Sequence, residues 1–250
     1  MLLVADVHGN FDALARVARR GEALVVLGDL LNLVDYRSGE GLLADLLGRD
    51  LVLEVLEQRR RAGHGAARER WRAFVAGREE ETRARFESLV EAVYTDLARA
   101  LEGADAYVTY GNTDHPDLLR RCLPAGVRYV DGDVVEIEGR RVGIVGGGPS
   151  RLGVPGEVPE ESLAARLAGL GAVDVLCTHA APAVAPLSRD VIGGRSKGSP
   201  AILDYLLACR PARHYFGDVH QPQALSWRVG DTLCCNVGFF RLTGRAVRLG

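Results

Sequence analysis

Short apolar runs closed by Asp, Asn, Gly or His recur along the chain: LLVAD, ALVVLGD, AYVTYGN, RVGIVGGG, VDVLCTH and RHYFGDVH. Runs of this length, bounded by turn residues, predict strands buried on both faces with polar groups at their ends. Helical segments with good boundary signals lie between several of them. Asn10 precedes FDALARVARR with Gly21 beyond it, and Ser199-Pro200 precede AILDYLLAC. The alternation predicts an α/β fold. Near Gly139 and near Gly230-Asp231, strand-like runs meet across tight turns (VVEIEGRRVGIV and ALSWRVGDTLCCNV). Antiparallel hairpins are therefore mixed in, which argues against a purely parallel doubly wound sheet.

The stretch from about Ser38 to Glu102 has no strand pattern and is rich in Arg and Glu. Phe86, Leu89, Val90, Val93, Tyr94, Leu97 and Leu101 fall on one helical face with charge opposite, so a helical insertion is predicted between two strands. Its arginine cluster QRRR raises the question of nucleic acid, but it alternates with REEE at spacings that favour ion pairs on a solvated helix surface. His64, between glycines, reads as a turn residue.

Composition narrows the class. A chain of 250 residues with 47% apolar content can bury a large core, and a single domain over 1–250 is expected. Its formal charge of -2 supplies no global field toward nucleic acid or an anionic membrane, so an anionic substrate must be held locally. Five cysteines without a C-x-x-C argue against a disulfide framework or a zinc knuckle and suit a reducing compartment. With no signal-peptide core and no run of membrane-spanning length, a cytoplasmic protein is expected.

The candidate chemistry sits at the strand ends. In a strand, residues two apart point the same way, so Asp6 and His8 after LLVA are expected to aim carboxylate and imidazole at one point, a metal-ligand geometry. Alone, that tripeptide fits a surface Asp beside a capping His as readily. The signal strengthens because Asp29 follows VVLG, Asn112 follows VTYG, His179 follows VLCT, and Asp218 with His220 follow HYFG. Ligand crevices of α/β sheets form at the carboxyl ends of strands.

These residues fall in order as Asp6-Val7-His8, Gly28-Asp29, Gly111-Asn112-Thr113-Asp114, Thr178-His179 and Gly217-Asp218-Val219-His220. The series resembles the calcineurin-like metallophosphoesterase family, whose motifs run D-x-H, G-D, G-N-H-[DE], a lone His after a strand, and G-H-x-H. CNVG, with Asn236 and Gly238, is similar to that family's N-P-G turn. The resemblance implies a four-layer α-β-β-α sandwich of two mixed β-sheets with outer helices, plus the insertion at about 38–102. It also implies a centre of two divalent metal ions. Asp6, His8 and His220 would bind one, Asn112 and His179 the other, with Asp218 at the second ion's remaining position and Asp29 bridging. Oxygen and imidazole ligands without thiolate suit Mn, Fe, Zn, Co or Ni, with Mn favoured. The implied activity is hydrolysis of a phosphate mono- or diester, or a phosphoanhydride, by a metal-bridging hydroxide. The implied substrate is a phosphorylated small molecule or nucleotide, and the catalytic set is Asn112, Asp114 and His179.

Two positions depart from the family pattern. Thr113 replaces the motif histidine, the usual proton donor to the leaving alcohol, so efficient turnover is expected only where the leaving group is itself acidic. His115, two residues on, is read as capping the helix begun by HPDLLRR, the alternative being that it substitutes as the proton donor, and Asp114 is expected to orient a water or an imidazole. Asp218 replaces the first histidine of G-H-x-H and is expected to coordinate as a carboxylate, the alternative being that its shorter side chain fails to reach and leaves the second site weak or empty. The rival reading is a binding module that keeps the fold and has lost catalysis.

Other motifs carry less. GRSKG (194–198) matches the nucleophile elbow of serine hydrolases, but a loop, APLSRDVIGG, precedes it where a buried strand is needed. Arg189, Arg195 and Lys197 of that loop are read either as contacts to substrate phosphate or as solvated residues. VGGGPSRLG lacks the third glycine of a dinucleotide fingerprint, Arg151 standing there. His214, Trp71, Trp227 and the vicinal Cys234-Cys235 read as packing residues.

Overall fold

A computed structural model of the chain describes residues 1–62, 65, 69, 70, 73, 76–150, 153–192, 194 and 196–250. The expectations for His64, Trp71, Arg151 and Arg195 lie outside the described residues. In chain order the strands are β1 (Leu2–Val4), β2 (Leu24–Leu27), β3 (Ala106–Thr109), β4 (Arg128–Tyr129), β5 (Asp133–Ile137), β6 (Arg140–Val145), β7 (Gly148–Pro149) and β8 (Glu157–Val158). They continue as β9 (Val175–Thr178), β10 (Ala181–Pro182), β11 (Gly198–Ser199), β12 (Arg213–Phe216), β13 (Ser226–Val229), β14 (Thr232–Asn236) and β15 (Val247–Arg248). The helices among the described residues are α1 (Phe11–Ala18), α2 (Leu42–Leu47), α3 (Arg49–Ala62), α4 (Glu79–Ala100), α5 (Pro116–Cys122), α6 (Glu160–Leu170), α7 (Ala185–Ser188), α8 (Pro200–Cys209) and α9 (Phe240–Thr243).

The strands make two large mixed sheets, ordered β15-β1-β2-β3-β4 and β13-β14-β12-β9-β6-β5, with β7/β8 and β10/β11 as small ladders. Apolar runs explain the parallel centres. Each inner strand has one row of side chains against the other sheet and one row against helices, so neither face can be polar. Leu3, Val25, Leu27 and Tyr107 of the first sheet join Val142, Ile144, Val175, Cys177 and Tyr215 of the second in one core cluster. The alternate residues Val4, Val26, Val108, Leu176 and Phe216 belong to the cluster that takes in Leu14, Val90, Leu97, Leu163 and Ile202 of the helices. That layering matches the expected sandwich. Cys234 and Cys235 divide between the two clusters, as strand alternation requires.

Both expected hairpins form antiparallel pairs, β5 with β6 and β13 with β14. The first turns on Glu138 and Gly139, with φ of 51° and 73°, the left-handed pair that a two-residue turn needs. Asn10 caps α1 by accepting from Ala13 N, and Ser199 caps α8 by accepting from Ile202 N. In the insertion, Val90, Tyr94, Leu97 and Leu101 are buried on the expected face. Arg60 and Arg61 of QRRR pair with Glu57 one turn back in their own helix, so REEE is not their partner.

His214 is a packing residue with a consequence for acid stability. Its Nε2–H donates to Thr178 Oγ1 at 2.8 Å, because the Thr178 hydroxyl proton is spent on Ala180 O at 2.6 Å. Nδ1 is buried without a partner. Burial pushes the imidazole pKa down to about 3 from 6.5. Below pH 6.5 the unfolded chain takes up a proton that the folded chain refuses, so stability falls with pH, by about 2 kcal/mol at pH 5. Chemical denaturation at pH 7 and pH 5 is expected to show this loss in the wild type and a smaller one in His214→Gln. Equal losses in both would rule out His214 as the source.

Candidate metal centre

Strand alternation does not bring Asp6 and His8 together. β1 ends at Val4, and both residues adopt left-handed backbone beyond it, with φ of 58° and 41°. Asp29 (51°) and Asp218 (61°) do the same after β2 and β12. Left-handed conformations at non-glycine residues cost about 1–2 kcal/mol each, and the surroundings must enforce them. Backbone hydrogen bonds do so here: Asp6 N to Gly28 O, His8 N to Asp29 O, Gly217 N to His179 O, and Arg241 N to Asp6 O. Two glycines permit the close approach. A Cβ on Gly111 would lie 2.2 Å from Asp29 Oδ1, and one on Gly217 would lie 2.5 Å from Ala5 Cβ.

The result is a group of four side chains that could hold a metal ion, Asp6, His8, Asp29 and His220, whose candidate ligand atoms lie within 4.8 Å of one another. Asp6 Oδ2, His8 Nε2 and His220 Nε2 are buried atoms with no hydrogen-bond partner. Orphaned buried polar atoms are costly unless something fills the space between them. Their identity as two imidazole nitrogens and carboxylate oxygens fits a divalent cation. The second nitrogen of His8 is fixed outward, since Nδ1–H donates to Leu31 O at 2.8 Å and leaves the Nε2 lone pair facing the group. The His220 ring stacks on Phe239 at 4.0 Å with an interplanar angle of 6°. Phe239 had no signal in the sequence.

Asp29 stands in the middle. Its Oδ2 lies 3.6 Å from His8 Nε2 and its Oδ1 3.4 Å from His179 Nε2. His179 donates Nδ1–H to Leu27 O at 2.7 Å and lies 3.1 Å from Asn112 Oδ1 through Nε2. His179, with Asn112 beyond it, thus meets the other oxygen of Asp29 from the one facing His8, and His179 is not among the four. Burial works to raise the Asp6 and Asp29 carboxyls, but neighbouring histidines outweigh it, chiefly His220 for Asp6 and His179 for Asp29. Both stay below the usual carboxylate range. Burial lowers the His8 pKa, which keeps that ring neutral and able to ligate.

Three more residues named from the sequence have the following contacts. Asp218 is not among the four converging ligands; its Oδ1 is ion-paired with Lys197 Nζ at 2.7 Å, and its N–H donates to Asp6 Oδ1 at 3.2 Å. Asp114 spends its oxygens on backbone donors. It is fully buried, accepting from Leu30 N and Leu31 N through Oδ1 at 2.9 and 3.1 Å and from Gly111 N through Oδ2 at 2.7 Å. It clamps the Asp29 loop to the Asn112 loop. His115 occupies the N-cap position of α5 but makes no capping bond with its side chain, its N–H donating instead to Tyr94 Oη at 2.9 Å.

Thr113 contributes in a way the sequence did not suggest. Its N–H and hydroxyl both donate to Asp29 Oδ1 at 2.9 Å, holding that carboxylate in place. Asn236 of the CNVG turn ties the His220 loop through Nδ2–H to Val219 O at 2.9 Å. Ser196 of GRSKG contacts Ser188 Oγ at 3.0 Å through its own Oγ, and no buried strand leads into it, so no nucleophile elbow forms among the described residues.

No family model and no curated protein matches the chain. Solved structures do. One crystal structure has a TM-score of 0.62 at 17% identity, covering 96% of this chain and 90% of that one. Another, TT1561 of Thermus thermophilus, has a TM-score of 0.54 at 12% identity over 96% of this chain and 89% of its own. At these identities the likeness establishes the shared fold. Among the described residues, no helix is long and apolar enough to cross a membrane.

Proposed function

We propose that the chain is a metal-dependent phosphoesterase of the calcineurin-like type, acting on a phosphorylated small molecule or nucleotide. The observation that carries this reading is the set of partnerless buried atoms on Asp6, His8 and His220, converging with Asp29 where strands from both sheets end. A bound divalent cation supplies Lewis acidity there, polarising a phosphoryl oxygen and making water a competent nucleophile near neutral pH.

The chain's own residues do the rest. Asp29, pinned by both Thr113 donors, keeps the His8 side and the His179 side in register. The Asn112 side-chain amide and His179 present polar groups to a phosphoryl oxygen, and Phe239 limits the rotation of His220. Proton donation to the leaving group is the weak point. The Thr113 hydroxyl is committed to Asp29, and the Asp114 oxygens are committed to backbone N–H groups behind the centre. The substrates that suit this arrangement have acidic leaving groups, aryl esters or phosphoanhydrides, for which a general acid adds little; for an alkyl ester its absence costs roughly two to four orders of magnitude.

The test is a comparison of purified protein on an aryl and an alkyl phosphodiester with added Mn. Expected is metal-dependent turnover of the aryl ester, with the alkyl ester slower by far more than its uncatalysed reactivity explains. Turnover that ignores chelation and is lost only in Ser196→Ala would overturn the reading. The missing proton donor also favours a second reading, a non-catalytic binding module on the same fold. Tight metal binding with no turnover of either ester would select it.

A further inference from the structure

Asp218, itself buried, pairs with the partly exposed Lys197 beside the centre, a contact that the phosphoesterase reading leaves unexplained. Lys197 Nζ lies 2.7 Å from Asp218 Oδ1 and 2.6 Å from Asp218 O, so the same residue takes two of the three ammonium N–H groups. The lysine reaches it from a loop 21 residues earlier, leaving the side chain 29% exposed. Asp218 itself is held in a left-handed conformation with φ of 61°, which turns its carboxylate to this partner. The two halves of the centre are therefore unequal. On the Asp6 side, the ligating atoms of four residues converge and three of those residues carry an atom without a partner. On the His179 side, Asn112 Oδ1 and His179 Nε2 are already in contact, and the carboxylate that would complete the set is bound to an ammonium.

Resting on the phosphoesterase reading, we propose that Lys197 is an internal cation that stands in for a second metal ion, so that the centre holds one divalent ion tightly and a second only weakly. The ammonium of Lys197 compensates the Asp218 carboxylate from within the chain, the task a second cation would have there. The third ammonium N–H is then available to a phosphoryl oxygen, a contact in which lysine serves as a point charge. Burial opposes the ammonium, but Asp218, Asp29 and Asp6 outweigh it and keep Lys197 charged. On this proposal the second of the two expected ions gives way to a lysine.

The experiment is a Mn(II) titration of the metal-free full chain, followed by electron paramagnetic resonance and calorimetry. In the wild type the first equivalent is expected to give the signal of isolated Mn(II), with the second binding at least about tenfold more weakly. Lys197→Met, similar in length and uncharged, frees Asp218 and is expected to tighten the second ion by about tenfold or more and to produce an exchange-coupled signal. Lys197→Arg keeps the charge and is expected to behave as the wild type. Two equally tight, coupled ions in the wild type overturn this inference and leave the phosphoesterase reading standing. Unchanged second-ion affinity in Lys197→Met also overturns it, and should that variant not fold, the wild-type titration decides alone. Failure to bind any ion overturns both.

Discussion

Asp29→Asn is expected to reduce turnover of an activated aryl phosphodiester by at least about a thousandfold, a loss of about 4 kcal/mol in transition-state stabilisation. Both oxygens of Asp29 are in use: Oδ2 lies toward His8, while Oδ1 faces His179 and accepts from Thr113 N–H and hydroxyl. An asparagine keeps only one oxygen. If that oxygen stays with Thr113, the amide N–H₂ points at His8 Nε2, donating to the lone pair that a cation needs. If the amide flips, N–H₂ meets the Thr113 N–H instead, donor against donor. Either orientation disables the centre without opening a cavity. Stability of the metal-free protein is expected to fall by far less than activity: no cavity opens, although the Asp29 charge favoured by His179 is gone. Parallel measurements of Mn content, turnover and melting temperature check this. Full activity, or a melting temperature that falls in step with activity, would count against a ligand role for Asp29.

Asp114→Ala is expected to do the reverse, with the larger cost falling on folding. Its carboxylate accepts N–H groups of Leu30, Leu31 and Gly111 in a fully buried setting, and Tyr94 Oη lies 3.4 Å from Oδ1. Each buried donor left without an acceptor costs about 1–3 kcal/mol, so a loss of at least about 3 kcal/mol is expected in urea denaturation. Asp114→Asn is not a mild change. One oxygen can still serve Leu30 and Leu31, but the N–H₂ then opposes Gly111 N–H, so an intermediate loss is expected. Since the clamp joins the loops of Asp29 and Asn112, the rate is expected to fall in both variants even where they remain folded. A rate loss in Asp114→Asn with no change in stability would return Asp114 to the catalytic group from which its position removes it.

The contrast between these residues shows what the chain's pattern conveyed and what it did not. Strand runs and their polar ends were legible because a buried parallel strand must be apolar throughout and must stop at a polar turn. The hairpin at Gly139 and the caps Asn10 and Ser199 were legible because few residue types serve there. Asp6, His8, Asp29 and His220 were legible as a set through their shared position after strands. The reason for their convergence was not. Alternation along a strand explained Asp6 and His8 on paper, but β1 stops at Val4, and left-handed turns held by cross-loop hydrogen bonds do the aiming. Phe239, and the pairing of Lys197 with Asp218, were hidden because the partners in each contact are distant in sequence and no periodicity links them. The backbone contacts of Asp114 were not legible, because a motif position shows that an acid is needed and not which way it faces.

Whether a cation sits among these four side chains is tested most directly by anomalous diffraction at the Mn edge from crystals grown with that ion. One strong peak is expected within coordination distance of Asp6, His8, Asp29 and His220. No peak there, or a full-strength peak bound only elsewhere, would contradict a metal centre at this place.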